Sequence, residues 1–159
     1  MRPDIKHDYA LSHIVSKQSD IDQDTFKLYQ FLQPVELNPI KETLFTLDSF
    51  KKAGDNWDGY NAKKPEERTV ENAKLFIQLL PLNFQKSLFS DELSLTPYGT
   101  VILDWKARND NHLSVEIGLN AIGYFSETDD NEDPFSESID FSGQEVPLEV
   151  LEVFEKVFQ

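Results

Sequence analysis

Residues 93–126 read LSLTPYGTVILDWKARNDNHLSVEIGLNAIGYFS, and this run decides the fold. Val101, Leu103 and Trp105 alternate with Ile102, Asp104 and Lys106, and Leu113, Val115 and Ile117 alternate with Ser114, Glu116 and Gly118. A period of two is the pattern of antiparallel strands with one buried face and one solvated face. Tyr98-Gly99, Asn109-Asp110-Asn111 and Leu119-Asn120 are turn sequences. They divide the run into strands from Ser94 to Pro97, Thr100 to Ala107, His112 to Gly118 and Ala121 to Ser126. Connections this short give a meander.

On either side the period lengthens to 3.6. Pro39 opens a helix whose Ile40, Leu44, Leu47 and Phe50 share one face, with Gly54 expected beyond its end in the left-handed C′ position. Pro65-Glu66-Glu67 starts a second helix, with proline in the first turn and acids at the positive end of the dipole. Val70, Ala73, Ile77 and Leu80 form its buried stripe, flanked by Phe76 and Leu79, and Pro81 stops it. Beyond the meander, Phe135, Ile139 and Phe141 suggest a fifth strand at the sheet edge. Pro147 then opens a last helix with Leu148, Leu151, Phe154 and Phe158, plus Val150, Val153 and Val157, on a broad apolar face. The expectation is an α+β domain over residues 35–159: N-terminal helices, a four- to five-stranded antiparallel meander and a C-terminal covering helix. Residues 1–34 lack sustained periodicity and read as an arm, with one short amphipathic helix around Phe26, Leu28, Tyr29, Phe31 and Leu32.

Composition limits the function. At 159 residues the chain can bury about 70% of the surface its unfolded form exposes, so it needs no covalent staple. It contains no cysteine, which removes disulfides and thiolate chemistry. Met1-Arg2-Pro3-Asp4 opens no signal-like apolar run, and the expected location is the cytoplasm. Of the net charge of −14, residues 109–159 carry almost all, with 13 acids against Lys156 alone. Such a surface repels phosphate and anionic lipid and attracts a basic surface. The expected partner is therefore a protein with a basic patch, with neither direct nucleic-acid binding nor a membrane.

Three constellations bear on a site. Asn56, Trp57, Asp58, Tyr60 and Asn61 combine two large aromatics with turn residues. They present a recognition loop if the rings are exposed, and otherwise plug the junction of the two helices. Turn chemistry accounts for every polar residue there, so a buried Trp57 is the expectation. Asp129, Asp130, Glu132 and Asp133 form an acidic loop and the second candidate binding element. Its spacing through Asp140 approximates an EF-hand loop, but Pro134 stands where that loop requires glycine, and Asp140 is shorter than the usual bidentate glutamate. No metal or other cofactor is expected. Asp104 and Glu116 lie off the core rows of adjacent strands, the raw material of a small carboxylate hydrolase. His7, His13 and His112 lack metal-ligand spacing, and nucleophile elbows, P-loops and dinucleotide-binding glycine patterns are absent.

Asn56-Trp57-Asp58-Gly59-Tyr60, Leu79-Leu80-Pro81 and Leu95-x-Pro97-Tyr98-Gly99-Thr100-Val101-x-Leu103-x-Trp105 stand in that order before the terminal helix. This order resembles an uncharacterised family of small bacterial and phage-borne proteins that share an NWDG-type loop and a following β-hairpin. The resemblance spans roughly Phe45 to Phe158. It implies the fold and brings no activity. Where relatives often carry glycine after the aromatic, this chain has Asn61, which also tolerates the left-handed region. The reading that results is a non-enzymatic binding or regulatory protein of antitoxin, immunity or accessory type, using its acidic last third against a basic partner. The alternatives are the small hydrolase and an inhibitor that mimics nucleic acid.

Overall fold

Among the described residues five strands pair antiparallel in sequence order: β1 (Leu93–Leu95), β2 (Val101–Lys106), β3 (His112–Ile117), β4 (Ala121–Glu127) and β5 (Phe135–Asp140). The computed structural model describes residues 39–108, 110–128 and 135–159. The arm, its helix around Phe26, and the acidic stretch Asp129 to Asp133 lie outside the described residues. Register follows the alternation. Val101 faces Ile117, Leu103 faces Val115 and Trp105 faces Leu113, and all six side chains are buried as their period required. The fifth strand lies at the sheet edge beside β4, with a bulge between Ile122 and Tyr124.

Helices α1 (Pro39–Phe50), α2 (Glu67–Leu79) and α4 (Leu148–Val157) pack on the inward side of the sheet. The class is α+β. A short helix α3 (Leu82–Lys86) and one 3-10 turn (Ser90–Glu92) fill the passage from α2 to β1, where no sequence period signalled structure. Val70, Ala73, Ile77 and Leu80 are buried, and so is Phe76, which belongs to the stripe and not to its margin. Trp105 sits at the centre of the core. Its ring meets Phe154 edge-on at a centroid distance of 4.8 Å, and its indole N–H donates to the Phe84 carbonyl at 3.0 Å. A buried indole therefore keeps a partner for its one polar atom, as burial demands.

Three local expectations are corrected. Gly54 does not take the left-handed conformation, because α1 ends at Phe50 and unwinds through a Lys51-Lys52 turn before the glycine is reached. Pro65 precedes the α2 N-cap, Glu66, and does not stand in the first turn; it is buried beneath the preceding loop. On α4 the buried stripe is Val150, Val153, Phe154 and Val157, while Leu148 is 70% exposed. Leu148 lies on the solvent side of the first turn of α4, whose inner side holds Glu149 against Tyr124 and buries Val150.

Side-chain hydrogen bonds fix the layers to one another. Asn72 of α2, almost fully buried, donates through Nδ2 to the carbonyls of Gly118 (3.2 Å) and Leu119 (2.8 Å) in the β3–β4 turn. Asn111 donates to the Val157 carbonyl at the end of α4. Tyr124 on β4 donates its hydroxyl to Glu149 of α4 at 3.0 Å. Burial, and then this bond, raise the phenol pKa.

Candidate functional site

The loop from Asp55 to Lys64 is held by its own side chains. Asn56 and Asn61 both take positive φ, 61° and 71°, which asparagine tolerates better than most residues, and Gly59 adds a third at 78°. Asn56 Oδ1 accepts the Asn61 N–H at 2.7 Å. Asp58 Oδ1 accepts the N–H of Tyr60 at 2.7 Å and of Ala62 at 3.1 Å, and Asp55 Oδ1 accepts that of Lys64. The polar residues of the motif are consumed in shaping the loop and offer little to a ligand.

Its aromatics do not plug the helix junction. Trp57 is 40% exposed and Tyr60 is 90% exposed, against the expectation of burial. The physical reason is local: the indole N–H bonds the Lys63 carbonyl of its own loop at 3.2 Å, so the ring lies along the loop. Ala62 and Pro65 are the buried anchors instead. The loop rests on the β1–β2 turn, where Lys63 N–H donates to the Pro97 carbonyl at 2.9 Å. Gly99 (φ 83°) comes so near that a Cβ there would sit 2.9 Å from the Lys64 carbonyl oxygen. That contact requires glycine.

The β1–β2 turn also reaches across to the sheet. Thr96 Oγ1 accepts the backbone N–H groups of Tyr98 and Thr100 and lies 2.6 Å from Thr100 Oγ1. The Thr100 hydroxyl in turn donates to Glu116 Oε1 on β3. Glu116 stands on the face of the sheet opposite the helices, and cross-strand pairing sets out what surrounds it. One row runs Ile102, Glu116, Gly123, and the next runs Asp104, Ser114, Phe125, Phe135. Gly123 has no side chain to fill its place, and a depression of about 320 Å³ opens there, lined among others by Ile102, Ser114, Glu116, Phe125 and Phe135. Phe125 and Phe135 are 41% and 64% exposed, although strand residues on a solvated face are ordinarily polar.

Carboxylates surround that apolar centre. Asp104 and Glu116 do share this face, as their strand positions required, but each has a neighbour: Asp104 lies 3.5 Å from His112 Nε2, and Glu116 holds the Thr100 bond. Glu127 and Asp140 are exposed at the margins of the same face, Asp140 opposite Ala121. Among the described residues no group of three or more His, Asp or Glu side chains is placed to hold a metal ion. No helix among them is long and apolar enough to cross a membrane.

No family model, curated protein or solved structure matches the chain. The candidate site is therefore built from this chain's own geometry. Of the residues singled out by sequence, Asn56, Trp57, Asp58, Tyr60 and Asn61 form one ordered loop, while Asp129, Asp130, Glu132 and Asp133 lie outside the described residues. The depression at Gly123 is not legible in the sequence because it requires register across four strands. Its signal was nevertheless present: Phe125 and Phe135 are large apolar residues, and Phe125 falls on the polar beat of its strand.

Proposed function

We propose that the protein is a non-enzymatic binding protein of accessory type that receives the basic surface of a protein partner on the open face of its sheet. The observation that carries this reading is the exposed Phe125–Phe135 pair on that face, set among the carboxylates of Asp104, Glu116, Glu127 and Asp140. An apolar centre with a charged margin is the ordinary anatomy of a specific interface: the centre supplies affinity and the margin steers the encounter. The acidic stretch from Asp129 to Asp133 connects β4 to β5 in sequence and adds its charge to the same third of the chain.

The test uses a partner captured with the protein and then purified. Its on-rate should fall steeply as salt rises, because exposed charges are screened beyond about 8 Å at physiological ionic strength. Reversing Asp129, Asp130, Glu132 and Asp133 to lysine should slow association, and Phe125→Ser should speed dissociation. Association indifferent to salt and to both changes would remove this reading.

A further inference from the structure

The depression at Gly123 has a chemistry more specific than general attraction to positive charge. Its walls include two phenyl rings, Phe125 and Phe135, paired across the β4–β5 ladder, and the side chain of Ile102. Its charged group is Glu116, and Ser114 contributes a hydroxyl. The Glu116 carboxylate is oriented in advance: Thr96 orders the β1–β2 turn, and the Thr100 hydroxyl of that turn donates to Oε1. Among the described residues Oε2 has no hydrogen-bond or ion-pair partner, and no lysine or arginine neutralises the group.

We propose that this depression is a socket for a single arginine side chain of the basic partner, with Glu116 as its carboxylate and Phe125 and Phe135 as its walls. The inference rests on the binding reading above and names its central contact. A guanidinium fits on three counts. It is planar and lies against aromatic faces, it offers two parallel N–H donors to one carboxylate, and it is more weakly hydrated than an ammonium. Glu116 can accept such a fork while keeping the Thr100 bond, because each carboxylate oxygen accepts more than one hydrogen bond. Gly123 adds no side chain to the lining beside Glu116. Holding Glu116 in place beforehand lowers the ordering cost of binding.

The experiment titrates the full chain with three blocked hexapeptides, of arginine, of lysine and of citrulline, and follows backbone amide shifts by NMR. Citrulline retains the planar shape and loses the charge. The expected result is binding in the order arginine, lysine, citrulline, with the largest shifts for arginine at Ser114, Glu116, Gly123 and Phe125. Glu116→Gln should weaken the arginine peptide about ten-fold, the scale of one charge-assisted hydrogen bond. Gly123→Val should abolish the preference for arginine over lysine. Phe125→Ser, on the side of the sheet away from the helices, serves as the independent variant and should reduce the same preference.

Three results would overturn the socket: equal binding of the arginine and lysine peptides, shifts spread over the acidic margin with none at Gly123, or arginine binding unchanged by Glu116→Gln and Phe125→Ser. In each case salt-sensitive binding of the purified partner would still uphold the broader reading. Loss of that salt sensitivity would remove the broader reading itself.

Discussion

At the scale of single residues, the two tryptophans separate what sequence discloses from what it withholds. Trp105 occupies a buried beat of β2, and period alone placed it in the core, where it is fully buried. Trp57 has no period around it. Turn chemistry gave the loop's shape, including the left-handed Asn61, but side-chain volume does not say which way a ring on a turn will lie, and the ring follows the loop. The two should differ sharply on truncation. Trp105→Ala removes a large core side chain together with its indole bond to the Phe84 carbonyl, a loss of about 3–5 kcal/mol. Trp57→Ala removes one partly exposed ring and one intraloop hydrogen bond, a loss of about 1 kcal/mol. Urea titrations of both variants check the pair, and comparable costs would contradict the exposure of Trp57.

Between elements, α1 and α2 are joined by ion pairs that make part of the stability depend on pH. Lys51 donates to Glu71, while Lys74 lies 3.0 Å from Asp48 and 3.4 Å from Glu71. The hydrogen bond from Lys51 lowers the Glu71 pKa, and that from Lys74 lowers Asp48; the bond to Glu71 raises Lys51. Depressed carboxyls contribute stability that is complete above their unfolded values, about pH 4, and is lost as pH falls through their folded values. For Lys51 the contribution is complete below about pH 10.4 and is lost as pH rises through its higher folded value. The urea midpoint of Glu71→Gln should therefore lie below wild type near neutrality, and the gap should close in acid and shrink in high salt, since these groups are partly exposed to solvent. A second joint, Tyr124 to Glu149, ties α4 to β4, and Tyr124→Phe should cost about 1 kcal/mol in the same titration. The elements themselves were legible wherever a period ran for several residues. Helix α3 was not, because five residues between Pro81 and the next turn are too few to show one.

For the whole molecule, the alternation that revealed the sheet also determined which face the helices would cover. The opposite face was harder to read, because its depression is made by residues on different strands that come together only in register: Ile102, Glu116, Gly123 and Phe135. The acidity of the last third was plain from counting, yet counting could not supply the phenyl rings at its centre or the threonine hydroxyl that orients Glu116. The strand order carries a further consequence. Each of the five described strands pairs with its neighbour in the chain, so most of the sheet can form by closing short loops, with little entropy lost before each contact is made. The hydrophobic side of that growing sheet nevertheless stays partly wet until the helices dock on it, with Phe76 of α2 and Phe154 of α4 both closing over Trp105. Early hairpin formation followed by a later burst of side-chain burial is the order of events this topology favours, and the interval between the two is when the chain is most vulnerable to aggregation.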